Sequence, residues 1–400
     1  MKHGLRNLFL ALALALVIAA PQPGLARQSG TRGRDTVTIT REEYDRLKQY
    51  ELLDEVRQYI DSYYYQVPDD QALMDGAIQG LLGGLGDAYS FYYPEETWRK
   101  MQEDDEGKYA GIGVQMLGDP DNGSVTITRV FRDTPAQEAG LRKGDVFYKV
   151  EDIEVTTATL TDAVNTMRGV PGERVHVEVV RNGEVIAFDL IKANIVVNRV
   201  DYRMLDDGVG YILLYEFAGG SSEAVVEAFN ALKAQGMRSL ILDLRDNPGG
   251  WVRDAEEIGD FLMDDKLLYY IEDRSGNRQD YRTDPGLDPT PVILLVNDHS
   301  ASASEILAAG LQDHKRATIM GVNTFGKGVI QYVIALSDGK TGFQLTYAQY
   351  FSPLGRKVHG EGIAPDIEVE MPEELLTHLF EVGDLADPQL AAAYEEAKKQ

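Results

Sequence analysis

The sequence has no cysteine among its 400 residues. Disulfides, thiolate metal sites and a lipid-modified cysteine near the N-terminus are therefore excluded. Histidine is sparse at six residues, so an imidazole base could come from only a few positions. Basic residues are outnumbered, 39 Lys and Arg against 65 Asp and Glu, for a formal net charge of −26. That balance argues against nucleic acid or an anionic membrane surface as a partner. There is no internal repeat, no Gly-x-Ser-x-Gly elbow and no spacing of His, Asp and Glu that resembles a metal cluster. Neither a metal nor a cofactor is expected.

Long apolar runs are missing too, with one exception. Residues 8–20 are apolar, follow Lys2, His3 and Arg6, and lead to Gly24-Leu25-Ala26. This pattern reads as a secretory signal over residues 1–26, too short to span a bilayer comfortably. An uncleaved anchor is the alternative. Either way the chain is expected to be exported, as a periplasmic, secreted or membrane-tethered protein. Residues 27–39 read as a Gly/Ser/Arg-rich linker.

Four further regions follow. Residues 40–104 show helical spacing, with Tyr44, Leu47, Tyr50, Leu53, Val56 and Ile60 as one apolar face across residues 40–65 and a second helix over 69–82. Residues 90–96 read as a loop and a helix start. Residues 105–195 change to short alternating runs parted by Asp121-Asn122-Gly123 and Arg181-Asn182-Gly183, both tight-turn signals, with helices near 135–139 and 160–167. Residues 196–370 alternate long apolar strands (211–217, 240–244, 292–296) with helices (221–235, 251–263), the pattern of crossover units in a mostly parallel sheet, and finish in β-structure. Residues 371–400 are acidic and helix-prone, a docking segment or a solvated tail. The expected fold class is multidomain α/β: a helical N-terminal segment, a β-rich module with two helices, and a βαβ-type core with a mixed sheet.

Within the β-rich module, Gly111-Ile112-Gly113-Val114 resembles the carboxylate-binding loop of PDZ domains. Ala139-Gly140-Leu141-Arg142-Lys143-Gly144-Asp145-Val146 resembles their central turn. Glycines let successive N–H groups face one concavity able to hold a chain-terminal carboxylate. A peptide could then add a strand to the neighbouring sheet edge.

The stretch that organises the core is Ser300-Ala301-Ser302-Ala303-Ser304-Glu305, between an apolar strand and an apolar-periodic helix. A helix N-terminus offers unpaired N–H groups and a positive dipole end. Ser302 and Glu305 there fit a capping box as well as a nucleophile site. His299 lies too close in sequence to act on Ser302, His314 at the far end of the helix, and His359 stays open as a base. Lysine is the more attractive base. Lys327 sits in Thr324-Phe325-Gly326-Lys327-Gly328, and alternation in extended chain would put Val329 and Gln331 on its side. A lysine base must be neutral, and burial near Phe325 and aliphatic strands would favour that form. Gln331 could hold the amine without adding a negative charge. Asp246-Asn247-Pro248-Gly249-Gly250 turns from a strand into a helix, where the N–H groups of Gly250 and Ala303 could meet on one carbonyl oxygen.

Taken together, the Ser300–Glu305 motif, Lys327 with Gln331, Leu244-Arg245-Asp246-Asn247-Pro248-Gly249-Gly250 and Gly362-Ile363-Ala364-Pro365-Asp366 resemble the carboxy-terminal processing proteases, tail-specific Ser–Lys peptidases with a PDZ domain. The resemblance implies Ser302 as nucleophile, Lys327 as base, Gln331 as its partner, and Gly250 and Ala303 as oxyanion donors. It further implies a protein or peptide substrate with a free C-terminus, and a PDZ module that gates the site. The N- and C-terminal helical segments are the candidates for a homodimer contact. The alternatives carried forward are a catalytically inactive PDZ adaptor and a Ser–His hydrolase using His359.

Overall fold

The computed structural model describes residues 37–119, 122–375 and 378–400. The expected signal, most of the expected linker and Asp121 lie outside the described residues. The chain divides into two units, Met1–Asp69 and Asp70–Gln400.

In the first unit the helix read over 40–65 is two helices, α1 (Arg41–Lys48) and α2 (Glu51–Tyr63). The break falls at Gln49 and Tyr50, whose N–H groups turn back to the carbonyls of Arg46 and Leu47 three residues earlier. Thr40 and Glu43 form a reciprocal capping box that starts α1. Neither helix buries a residue, so Tyr44, Leu47, Leu53 and Val56 are all exposed.

The second unit opens with α3 (Asp70–Gly83), β1 (Phe91–Tyr93) and α4 (Glu95–Glu106). The β-rich module follows as β2 (Lys108–Gly111), β3 (Val114–Gly118), β4 (Val125–Val130), α5 (Pro135–Ala139), β5 (Val146–Val150), β6 (Ile153–Glu154), α6 (Leu160–Met167), β7 (Arg174–Arg181), β8 (Glu184–Ile191) and β9 (Ala193–Val196). Its sheet runs β3-β4-β5-β7-β8 with β6 on β5, leaving β3 as an edge strand, while β2 pairs β9 at the base. Alternation in β4 and β7 sends Val125, Ile127, Val175, Val177 and Val179 into one apolar core, closed by Ala163 and Met167 of α6.

The core comprises β10 (Val200–Met204), β11 (Val209–Leu214), α7 (Ser221–Ala234), β12 (Ser239–Asp243), α8 (Val252–Leu262), β13 (Leu267–Asp273), β14 (Arg278–Arg282), β15 (Val292–Val296), α9 (Ala303–Asp313), β16 (Ala317–Gly321), β17 (Val329–Ala335), β18 (Gly342–Phe351), β19 (Ile367–Glu368) and α10 (Pro388–Ala397). One sheet has the order β10-β11-β12-β15-β16-β19, with β11 to β19 parallel and β10 antiparallel at the edge. Every residue of β12 and β15 is buried, as expected of strands covered on both faces. Helices α7, α8 and α9 cover one face, and α10 covers the other with Leu390, Ala393, Tyr394 and Ala397. The acidic C-terminal stretch is therefore a docked segment, and its apolar side is spent within its own chain. A second sheet, β1-β18-β13-β14 with β17 on β18, is antiparallel throughout.

Candidate active site

Parallel neighbours β12 and β15 end side by side, so the chain segments leaving them emerge together at the carboxyl edge of the sheet, where open α/β sheets hold their ligands. From β12 comes the strap of residues 244–251, and from β15 comes the turn of residues 297–302. They are laced to each other. Ser300 Oγ donates to the Leu244 carbonyl (2.7 Å), and both the Ala301 N–H (3.1 Å) and Ser304 Oγ (3.0 Å) donate to the Asn247 carbonyl. Asn247 is fully buried, donates to the Leu214 carbonyl (2.9 Å) and accepts the Gly249 N–H (2.9 Å).

Ser300 and Ser304 thus have their hydroxyls committed to main chain. Ser302 does not. It is the residue before α9, its φ is +58° and its ψ −115°, and it is 8% exposed. A non-glycine residue held at such a φ signals backbone strain imposed by its surroundings. Ser302 and Glu305 take up the capping-box arrangement: the Ser302 N–H donates to Glu305 Oε2 (2.9 Å), and the Glu305 N–H, turned toward the serine side chain, donates to the Ser302 main-chain carbonyl (2.8 Å). The strap lies directly against this turn. A Cβ on Gly249 (φ +97°) would stand 2.6 Å from the Ala301 carbonyl oxygen and 2.7 Å from Ser302 Cβ. A Cβ on Gly250 (φ +131°) would overlap the Phe217 carbonyl. Among the described residues, no hydrogen bond uses the N–H of Gly250 or of Ala303.

Lys327 is brought to the same place by a buried carboxylate. Glu305 is 0% exposed, and each of its oxygens receives two donors. Oε2 takes the N–H groups of Ser302 (2.9 Å) and Lys327 (2.8 Å), while Oε1 takes the Thr324 hydroxyl (2.5 Å) and the Gly326 N–H (2.7 Å). The Tyr350 hydroxyl, buried beneath, makes hydrogen bonds to the carbonyls of Lys327 (2.6 Å) and Ser302 (3.1 Å). Thr324 Oγ1 also accepts the Ile363 N–H (2.7 Å), so the Gly362–Asp366 motif braces the lysine turn. The residues sequence reasoning missed are these framing groups, Glu305 as more than a cap, and Tyr350, Thr324 and Asn247. Glu305 lay inside a quoted motif, but nothing local says that its charge is buried.

Burial lowers the Lys327 amine's pKa from its ordinary value; the carboxylates of Glu305 and Asp87 raise it, and burial prevails. The expected cover, Phe325, is 57% exposed. The ring over Lys327 Nζ belongs instead to Tyr89, at 5.0 Å from its centre. Gln331 is on β17, where a bulge interrupts the register with β18 beside it, and its amide donates to Thr346 Oγ1 (3.1 Å). Among the described residues no hydrogen bond joins Gln331 to Lys327. His299 is exposed on Asp246, and His314 caps the far end of α9 with Nε2 on the Leu267 carbonyl (2.7 Å). His359 packs against Gly328 and faces Tyr89, with a buried Nδ1 that has no partner among the described residues.

The module's glycine loop lies between β2 and β3. Gly113 has φ +89°, and a Cβ there would lie 2.4 Å from Thr134 Cβ. The Ile112 and Gly113 carbonyls accept the N–H groups of Ala136 and Phe131 (both 2.9 Å), tying the loop to the start of α5. No hydrogen bond among the described residues uses the N–H of Ile112 or Gly113. Val114 begins the edge strand β3. In the second motif Gly140 ends α5 in the left-handed region, and buried Asp145 receives Arg181 through Nε and Nη2 (both 2.6 Å).

Residues 208–369 match peptidase family S41, residues 109–191 match the PDZ domain, and residues 24–97 match the activating protease CtpB N-terminal domain. The chain is 31% identical to the carboxy-terminal processing protease CtpA of Bacillus subtilis (strain 168), over 93% of this chain and 79% of that protein. It is 33% identical to the carboxy-terminal-processing protease of Bartonella bacilliformis, over 83% and 78%. Its structure resembles that of the photosystem II D1 C-terminal processing protease, with a TM-score of 0.52 and 28% identity over 88% of this chain and all of that one. The chain belongs to the carboxy-terminal processing proteases of peptidase family S41, serine-type peptidases, and carries a PDZ domain beside its protease core.

Proposed function

We propose that this peptidase cleaves by a Ser302–Lys327 dyad. The neutral Lys327 amine takes the Ser302 hydroxyl proton as Oγ bonds to the scissile carbonyl carbon. The resulting ammonium returns that proton to the departing amine as the C–N bond breaks, leaving an acyl-enzyme. Water then attacks the ester, giving a proton to Lys327, and Ser302 leaves with it restored. The N–H groups of Gly250 and Ala303 receive the oxyanion, each worth on the order of 3 kcal/mol of barrier. Gln331 orients the Lys327 side chain from the substrate-bound state onward. The observation that carries the reading is the shared frame: one carboxylate and one phenol each hold the main chains of both Ser302 and Lys327.

The substrate is a protein or peptide whose free C-terminus is received by the loop of Gly111, Ile112, Gly113 and Val114, with the tail lying along β3. Binding there shifts the core from closed to open. The boundaries proposed from sequence, with the PDZ domain over 105–195 and the protease core over 196–370, assign these roles to separate modules. Export by the N-terminal segment and a homodimer through the exposed faces of α1 and α2 complete the reading. Among the described residues no helix is long and apolar enough to cross a membrane.

A serine-directed fluorophosphonate probe tests the dyad. Ser302→Ala and Lys327→Ala are expected to abolish peptide cleavage with unfolding midpoints unchanged, and Ser302→Ala also abolishes labelling. Wild-type turnover in either variant overturns the dyad. Because the His359 Nδ1, beside the lysine turn, has no partner among the described residues, His359→Ala is the control. Loss of turnover there, with Lys327→Ala active, would establish the Ser–His alternative.

A further inference from the structure

Lys327 is roofed by a loop that none of the four sequence motifs includes. Asp87, Ala88, Tyr89 and Ser90 lie between α3 and β1, and they reach the site because β1 pairs with β18 in the register Phe91↔Gln344. The loop is held firmly. The Gln344 amide donates to the Tyr89 carbonyl (3.1 Å), and the Thr346 N–H donates to Ser90 Oγ (2.9 Å). Ser90 Oγ in turn donates to Asp87 Oδ2 (2.6 Å), and the Tyr89 N–H to Asp87 Oδ1 (3.0 Å). Gln331 reaches the same anchor through its bond to Thr346.

We propose that the loop of residues 87–90 belongs to the catalytic apparatus, with Tyr89 shielding the Lys327 amine from water and the Asp87 carboxylate opposing its neutralisation. The two are positioning residues that fix the pH range over which the base works, and the inference rests on Lys327 being that base. A ring face near an amine acts in two senses. It excludes water, which disfavours ammonium, and its quadrupole attracts a cation. Burial is the larger influence on Lys327, so exclusion of water wins. The carboxylates whose charge reaches the amine are those of Glu305, which also holds the Lys327 N–H (2.8 Å), and Asp87 of the loop, and both favour ammonium. Asp87 stays ionised, because hydrogen bonds from Ser90, Thr346 and Tyr89 and the nearby His359 outweigh its partial burial. Tyr350 lies on the main-chain side of Lys327 and leaves the amine to Tyr89. The region matched to family S41 starts at residue 208, so this part of the base's surroundings comes from outside it.

The test is the pH profile of kcat/KM for full-length protein on an internally quenched peptide. The neutral amine is the active form and is populated above its pKa, so activity rises with pH through an acid limb. Asp87→Asn removes an anion and is expected to move that limb to lower pH. Tyr89→Ala admits water and is expected to move it to higher pH, with a loss of roughly threefold to tenfold at pH 7, a fraction of what a general base contributes. Tyr89→Phe keeps the ring and is expected to restore the wild-type limb. A merely structural role would lower the plateau of both variants without moving their limbs in opposite senses. Limbs that coincide with wild type, or move together, overturn the inference. Should Tyr89→Ala fail to fold, Asp87→Asn decides alone. If Lys327→Ala keeps wild-type turnover, the base assignment itself fails. If that variant is dead while the limbs coincide, only the loop's role fails.

Discussion

Replacing Glu305 by Gln isolates what the buried carboxylate does. Its two oxygens receive four donors, two each, and the side chain has no contact with solvent. Alanine would strip all four of their partner at about 1–3 kcal/mol each. That sum rivals the whole stability of an ordinary domain, about 5–15 kcal/mol, so an alanine variant would report only unfolding. Glutamine keeps one oxygen. The least costly arrangement leaves that oxygen on the N–H groups of Ser302 and Lys327 and turns the amide nitrogen toward Thr324, whose hydroxyl can rotate to accept. The Gly326 N–H then faces a second donor, and one unmet bond costs about 1–3 kcal/mol. Thermal or urea unfolding should register that loss. The activity should fall more steeply, because a displacement of about 1 Å at a reacting group can cost on the order of 100-fold. A third readout separates charge from geometry. The Glu305 charge raises the Lys327 pKa, so Gln lowers it, and the acid limb of kcat/KM moves to lower pH while kcat drops. Glu305→Asp keeps the charge and should leave the limb in place. A Glu305→Gln variant with wild-type midpoint and wild-type kcat would refute the claim that this carboxylate frames the dyad.

Two further predictions concern the modules around the proposed dyad. Gly113→Val places a β-branched residue at φ +89° and its Cβ on Thr134. Fluorescence anisotropy with a labelled tail peptide should show affinity down at least about tenfold, and unchanged affinity would remove the glycine loop from tail binding. Arg245 joins the strap to the C-terminal helix, bonding Asp243 (2.6 Å) and Asp387 (2.8 Å), which are 1% and 5% exposed at the side chain. Arg245→Ala leaves both charges buried and should cost about 3–5 kcal/mol in urea unfolding. A loss under about 1 kcal/mol would mean that water replaces the guanidinium.

The parts of the site that follow from sequence are those set by local chemistry. The Pro-Gly-Gly turn, the small-residue helix entrance at Ser302 and the glycine-flanked Lys327 are each specified by residues adjacent in the chain. The strands 240–244, apolar but for Asp243, and 292–296, fully apolar, are legible for the same reason, since burial on both faces thins polar residues from a run. The misplaced elements lack a local sequence signal. Residues 91–93 read as a loop but are β1, because their pairing among the described residues is with β18, far along the chain. The hairpin of β13 and β14 is not legible in the sequence, for β14 is mostly exposed and carries charge on alternate residues, Arg278, Asp280 and Arg282.

The sequence alone determined the order of modules, the family and the identity of the residues that could carry the chemistry, because composition and short spacings are written in the chain itself. Tertiary structure decided which carboxylate is buried between Ser302 and Lys327, and which ring covers the amine. It also decided that the acidic tail docks. Those outcomes turn on desolvation and on contacts between residues far apart in sequence, and neither quantity exists until the chain has folded.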